Sequence, residues 1–360
     1  MRNGILVYIL LMFFIAGCGS EDKKKVVPDG ETEHYGSIIT PAQGQSVVSG
    51  ESFKIELSLS QNPDGFEKVD FKMDNELIFE SKDMKNNFVF EMNTSGFSMG
   101  LHSISTEIFF DGKSEINTSA ILITSDIVPA RYTYLVRNKL PHDINAYTQG
   151  LEFVNGELYE GTGLNGKSEL RQVNLRIGAV IRTKKLDSQY FGEGITISDD
   201  KIYQITYQSN KGFVYDLKTF DLIREFTYTT EGWGLTHDDQ HLMMSDGTNK
   251  IYFLDKETFE RKKEMEVYDN IGPVYMINEL EYINGEIWAN IYLSQDIIRI
   301  DPKTGKVTGR INCSGIFDPS TVSHKTDVLN GIAYDEITKK IYLTGKLWPN
   351  IFEVEFLNEQ

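Results

Sequence analysis

Eight polar side chains lie in or beside short apolar runs and are of types that could act together: Gln149, Glu160, Glu193, Glu231, Asn278, Glu279, Asn330 and Lys346. Many stand directly before a glycine, as in Gln149-Gly150, Glu193-Gly194 and Asn330-Gly331. Carboxyl groups can carry protons, amides can hold a polar substrate in register, and a lysine ammonium can face charge that develops on a reacting oxygen. The structural alternative is that such groups satisfy backbone amides around a buried channel. About half of the eight are expected in that role, since buried polar atoms need partners.

Other chemistries find little support. The six histidines, His34, His102, His142, His237, His241 and His324, are scattered, and only His237 and His241 stand four apart. His237 and His241 are separated by an expected turn between strands, so a histidine-rich zinc site is not indicated and no metal ligand is assigned. No Gly-x-Ser-x-Gly elbow, phosphate-binding loop or dinucleotide fingerprint occurs in a suitable context. Cys313 ends an expected outer strand without a basic neighbour and reads as a structural thiol.

The elements that must position these groups are legible as a repeat. A first strand recurs at Gly150-Leu151-Glu152-Phe153, Gly194-Ile195-Thr196-Ile197, Gly234-Leu235-Thr236-His237, Glu279-Leu280-Glu281-Tyr282 and Gly331-Ile332-Ala333-Tyr334. The starts lie 44, 40, 45 and 52 residues apart. Each is followed by a second and third strand, for example Leu158-Tyr159-Glu160 and then Leu170 to Leu175. Four repeats add a fourth strand, but the last runs out of chain after Phe356, and Tyr132 to Leu140 is expected to supply the missing one. Pairing the two ends closes a ring and removes exposed sheet edges. The expectation is therefore a five-bladed β-propeller over residues 131–360, with the first strand of each blade lining a central channel.

Residues 35–126 carry period-2 runs such as Phe53-Lys54-Ile55-Glu56-Leu57 and Val69-Asp70-Phe71-Lys72-Met73, separated by Gly, Asn and Asp clusters. This pattern predicts a small immunoglobulin-like β-sandwich, so the fold class is all-β throughout. Ahead of it, Arg2 and the apolar run Gly4 to Ala16 end in Ile15-Ala16-Gly17-Cys18. The run is shorter than a bilayer-spanning helix. It predicts a lipoprotein signal peptide over residues 1–17, lipidation at Cys18, and a polar tether over 18–34. The expected location is extracytoplasmic, anchored by lipid to a bacterial envelope. With Cys18 so used, Cys313 has no partner within the chain, and stability must come from the cores, which 40% hydrophobic composition can supply. A formal net charge of -17 argues against a nucleic-acid partner.

Six motifs in order resemble the plant and bacterial type of glutaminyl-peptide cyclotransferase. They are Tyr147-Thr148-Gln149-Gly150-Leu151, Leu158-Tyr159-Glu160-Gly161-Thr162-Gly163, Tyr190-Phe191-Gly192-Glu193-Gly194, Glu231-Gly232-Trp233-Gly234-Leu235, Asn278-Glu279-Leu280-Glu281-Tyr282 and Gly345-Lys346-Leu347-Trp348-Pro349. The resemblance spans Tyr132 to Phe356 and leaves out the sandwich and tether. It implies an acyltransferase reaction in which the α-amine of an N-terminal glutamine attacks its own γ-carboxamide and ammonia leaves, on peptides or proteins, without a cofactor. It implies Glu160 as general acid and base and Lys346 as the cation near the oxyanion. Gln149, Glu193 and Asn278 would bind the substrate, with Tyr207 and Tyr292 standing where tryptophans are expected in the pocket wall. Tyrosine keeps the flat apolar surface and adds a hydroxyl. A monomer is expected. Two other readings stay open: a non-catalytic envelope propeller that binds a peptide or glycan, and a calcium-dependent lactonase using Glu193, Asn278 and Asn330.

Overall fold

The computed structural model describes residues 34–359, so the expected signal peptide, the Cys18 lipidation site and nearly all of the tether lie outside the described residues. The described residues are all-β apart from one short 3₁₀ turn at Pro319–Thr321. The first eight strands are β1 (Gly36–Thr40), β2 (Gln45–Val48), β3 (Ser52–Leu59), β4 (Phe66–Met73), β5 (Glu76–Ser81), β6 (Asn87–Asn93), β7 (Gly100–Phe110) and β8 (Lys113–Thr124). They form two sheets, ordered β1-β3-β6 and β2-β8-β7-β4-β5. Alternation along β3 turns Phe53, Ile55, Leu57 and Leu59 inward. There they meet Val69, Phe71, Ile104, Ile108 and Ile121 of the facing sheet, the arrangement of a β-sandwich.

The remaining strands are β9 (Ala130–Pro141), β10 (Thr148–Val154), β11 (Glu157–Thr162), β12 (Glu169–Asn174), β13 (Ala179–Lys185), β14 (Gly192–Ser198), β15 (Lys201–Thr206), β16 (Lys211–Asp216), β17 (Leu222–Thr227), β18 (Leu235–His237), β19 (His241–Ser245), β20 (Lys250–Asp255) and β21 (Arg261–Glu266). They continue as β22 (Ile277–Ile283), β23 (Glu286–Ile291), β24 (Asp296–Ile300), β25 (Val307–Asn312), β26 (Leu329–Asp335), β27 (Lys340–Gly345) and β28 (Asn350–Asn358). Three four-stranded meanders run β10-β11-β12-β13, β14-β15-β16-β17 and β18-β19-β20-β21, and an eight-stranded sheet has the order β22-β23-β24-β25-β9-β28-β27-β26. Strand β9 lies antiparallel along β28 from Tyr132 to Pro141, so the last meander is completed by a strand from before the first. It also makes a short parallel pairing with β25 at Ala130 to Tyr132, which the sequence pattern does not announce.

The leading strands touch in cyclic order, β10 to β14, β14 to β18, β18 to β22, β22 to β26 and β26 back to β10. The repeated glycines permit this closeness. A Cβ on Gly194 would lie 2.5 Å from the Leu235 backbone nitrogen, and one on Gly234 would lie 2.0 Å from the Asn278 carbonyl oxygen. Between neighbouring sheets the apolar faces interlock, as where Met243 and Ile251 pack with Leu280, Ile287 and Ile298. Rigid walls of this kind fix side chains at the strand ends to within the freedom of a rotamer.

The two domains meet at the segment that follows β21. The Ser125 amide donates to the Asp269 carbonyl at 3.2 Å, and Lys306 pairs with Asp126.

Candidate active site

Leading strands that converge on a common axis bring their N-terminal ends together, and those ends carry the polar residues that precede the glycines. Gln149, Glu193 and Asn278 are the second residues of β10, β14 and β22. Lys346 follows β27, while Tyr207, Trp233 and Tyr292 come from connecting segments. Together with Tyr147 and Phe191 they line a cavity of about 180 Å³. This is small beside the 300–1,000 Å³ usual for drug-sized ligands and suits a single side chain. The aromatic rings form a continuous wall in which Phe191, Tyr207, Trp233 and Tyr292 contact one another edge to face.

Six of the seven pocket residues expected from sequence therefore meet: Gln149, Glu193, Tyr207, Asn278, Tyr292 and Lys346. Glu160 does not join them. It sits on the second strand of its meander, 1% exposed, among cations of its own. His142 Nε2 lies 2.9 Å from Oε1, and Thr148 donates to the same oxygen at 2.7 Å. Arg171 stands 3.7 Å from Oε2. The other His142 nitrogen lies 2.9 Å from the Trp348 carbonyl oxygen. Both ring nitrogens thus face acceptors, which calls for the doubly protonated imidazolium. Burial alone would raise the Glu160 pKa, but His142, Arg171 and Thr148 outweigh it and hold the carboxyl below its usual range. Burial likewise works against charge on His142, and Glu160 with the Trp348 carbonyl reverses that, leaving the imidazole pKa raised. A carboxylate fixed in this way is poorly suited to take up and release a proton at neutral pH.

Glu193 has the opposite environment. Burial pushes its pKa well above the usual carboxyl value, opposed by the Lys346 charge and assisted by Glu231. Its Oε1 accepts a hydrogen bond from Gln149 Nε2 at 2.9 Å, and Gln149 is oriented in turn by Asn330 Nδ2, 3.3 Å from its Oε1. Burial lowers the Lys346 pKa, while Glu193 and Asp327 oppose the shift. The pocket thus holds a carboxyl and an ammonium whose proton affinities have been drawn toward each other, a feature frequent at functional sites. Asn278 Oδ1 is buried without a hydrogen-bond partner. A buried acceptor left free in the protein is available to a ligand N–H.

The other polar candidates have structural duties. Glu279 accepts from the Leu151 and Ile332 amides across the channel at 3.2 and 3.0 Å. Glu231 takes hydrogen bonds from Gln208 and from the Trp233 indole. Trp348 is buried, its indole donating to the Asp327 carbonyl at 2.8 Å. Cys313 is buried too, and its thiol pKa is pushed up to about 12 by burial and by Asp296. Tyr147 and Phe191 were not singled out as pocket residues, although each stands two residues before a polar group that was. At the opposite ends of the leading strands a second cavity, of about 350 Å³, is lined by Glu152, Glu281, Asp335 and Glu336. Among the described residues no group of three or more His, Cys, Asp or Glu side chains is arranged to hold a metal ion.

A propeller-like β-domain bearing an acid-and-lysine pocket at the convergent strand ends, behind an immunoglobulin-like domain, is the class that fold and site define. Residues 105–356 match the glutamine cyclotransferase family, and residues 36–105 match a bacterial Ig domain. The chain belongs to the glutamine cyclotransferase family. A glutaminyl-peptide cyclotransferase of Arabidopsis thaliana is 42% identical over 221 residues, which cover 60% of this chain and 69% of the relative. The crystal structure of Myxococcus xanthus glutaminyl cyclase aligns with a TM-score of 0.61 at 35% identity, covering 64% of this chain and all of that one.

Proposed function

We propose that the protein cyclises N-terminal glutamine of peptides or proteins to pyroglutamate, an intramolecular acyl transfer, with Glu193 in the proton-carrying role expected of Glu160. The observation that carries this assignment is the joint burial of Glu193 and Lys346 in one aromatic-walled pocket, while Glu160 is neutralised by His142 and Arg171 away from it.

The aromatic wall folds the substrate side chain back over its own α-amine, and such orientation replaces an entropic cost of several kcal/mol in solution. Asn278 Oδ1 and the Gln149 amide take the substrate's polar groups. The neutral α-nitrogen then bonds to the γ-carbonyl carbon as Glu193 carboxylate accepts the N–H proton. The carbonyl oxygen gains the negative charge beside the Lys346 ammonium. As the carbonyl re-forms, the C–N bond to the former amide nitrogen breaks, Glu193 returns the proton to that nitrogen, and ammonia leaves. The carboxyl's raised pKa suits both transfers.

The cyclic contacts of the leading strands and the completion of the last meander by β9 support a closed propeller of five blades, the sandwich occupying residues 35–126 and the propeller 131–360. The N-terminal apolar run and Ala16-Gly17-Cys18 support a lipoprotein signal over 1–17, a tether over 18–34 and an extracytoplasmic lipid anchor at Cys18. The protein acts as a monomer in this reading.

The test is ammonia release from short peptides beginning with glutamine, using the chain without residues 1–18. Activity of wild type, lost by at least about 100-fold in Glu193→Gln through removal of general acid–base catalysis, is expected. A folded protein inert on all such peptides would leave the non-catalytic binding propeller as the better reading.

A further inference from the structure

Lys346 must remain charged through a reaction in which an acidic neighbour, Glu193, alternates between carboxyl and carboxylate. It is 3% exposed, so water does little to hold that charge. The groups facing its Nζ are rings: the centroid of Tyr147 lies 5.0 Å away and that of Tyr292 lies 5.3 Å away. Both distances fall within the range at which an aromatic face attracts a cation.

The two rings come from different meanders and each is fixed from behind. Tyr147, just ahead of β10, donates its hydroxyl to Asp327 Oδ2 at 3.1 Å. Asp327 donates its own amide to the Lys346 carbonyl, and the Lys346 amide donates to the Val328 carbonyl, each at 2.9 Å. One residue, Asp327, therefore ties the ring through its carboxylate and the lysine backbone through its amide. Tyr292, after β23, donates its amide to the Met276 carbonyl at 2.9 Å and packs edge to face on Trp233 with centroids 5.6 Å apart.

We infer that Tyr147 and Tyr292 form a π clamp, braced by Asp327, that holds the Lys346 ammonium charged and in place whichever protonation state Glu193 occupies. The clamp rests on the reading of Lys346 as the oxyanion donor. Its two tyrosines are positioning residues acting through the lysine. A ring's attraction for a cation does not depend on a proton, so it persists after Glu193 has become neutral. A second carboxylate in the pocket would hold the lysine charge only by also pushing the Glu193 pKa further up, as like charges do. The charged groups facing Lys346 are Glu193 from β14 and Asp327 ahead of β26, with Glu231 acting on Glu193.

The experiment uses the mature chain and the variants Tyr147→Phe, Tyr147→Leu, Tyr292→Trp, Tyr292→Leu and the double Leu variant. Two readouts are needed: the pH profile of kcat/KM, and the titration of the Lys346 side chain by NMR, assigned with Lys346→Met. Each ring is worth roughly 2- to 30-fold in favour of the charged form. Tyr147→Leu and Tyr292→Leu should each lower kcat, with KM changing less, and move the alkaline limb and the lysine titration to lower pH by roughly 0.3 to 1.5 units, that same factor on the pH scale. Tyr147→Phe and Tyr292→Trp keep a ring and should leave both midpoints in place. Folded Leu variants whose lysine titration does not move would overturn the clamp. Phe and Trp variants as damaging as Leu would do the same. The NMR titration does not depend on turnover, so an inert wild type would refute the cyclotransferase reading while the clamp is still decided.

Discussion

Replacing Glu160 by glutamine should cost stability and leave the chemistry largely intact, whereas the same change at Glu193 should do the reverse. Glu160 and His142 are each 1% exposed at the side chain and approach to 2.9 Å. Removing one member of such a buried pair leaves an uncompensated charge and typically costs about 3–5 kcal/mol. Glutamine can still accept from Thr148, and Arg171 retains Glu169 at 2.8 Å and Asp143 at 3.0 Å, so a value near 3 kcal/mol, the low end of that range, is expected. His142→Gln in the Glu160→Gln background should recover part of the loss, because a neutral pair can share a hydrogen bond. The effect should depend on pH. The Glu160 pKa is lowered by folding, so its contribution is present above the ordinary carboxyl value of 4.5 and is lost as pH falls through the folded value. The His142 pKa is raised, so its contribution is fully present below 6.5 and is lost as pH rises through the folded value. The variant's deficit should therefore be greatest between about pH 4.5 and 6.5. Urea unfolding monitored by tryptophan fluorescence measures it, since Trp233, Trp288 and Trp348 all lie within the residues that match the cyclotransferase family. A Glu160→Gln protein as stable as wild type but catalytically dead would refute the reasoning and return the proton shuttle to Glu160.

Turnover should follow a bell-shaped pH profile, rising as Glu193 ionises above the usual carboxyl range and falling as Lys346 deprotonates below the ordinary 10.5; Glu193→Asp and Lys346→Arg should move the acid and alkaline limbs respectively. Asn278→Ala removes the free acceptor and should lower kcat/KM by about 10-fold, as loss of one ligand hydrogen bond does, measured by steady-state ammonia release. Gly194→Ala drives a Cβ to 2.5 Å from backbone of the next leading strand and should destabilise by about 1–3 kcal/mol or prevent folding, read from thermal unfolding of the purified variant. Cys18→Ser in a bacterial host should move the protein from the membrane fraction to the soluble fraction, and an unchanged distribution would dismiss lipid anchoring.

Much of the architecture was legible because β-structure is written locally. Period-2 alternation in Phe53 to Leu59 sets one face of a strand inward. The spacing of Gly150, Gly194 and Gly234 marks where neighbouring strands must touch backbone to backbone. The ordered motifs also pointed to the family, and most pocket residues lie within them. The parallel contact of β9 with β25 was not legible, since it depends on where a chain end falls once the ring is closed.

The difference between two carboxyls exists only in three dimensions. Glu160 and Glu193 both stand in glycine-rich strand motifs, and their sequences give no reason to separate them. Distance from the axis separates them: Glu193 stands near the start of a leading strand beside the cavity, while Glu160 lies one strand farther out, where His142 and Arg171 arrive from other segments. The neighbours of Lys346 were hidden for the same reason, since Tyr147, Tyr292 and Asp327 reach it from segments far apart in the chain. Sequence by itself determined the residue types, the strands and the repeat, because those follow from neighbours a few positions away. Only the tertiary structure decided which acid is paired with buried cations and which is buried with a raised pKa in the pocket, because burial and opposing charge belong to contacts between distant segments.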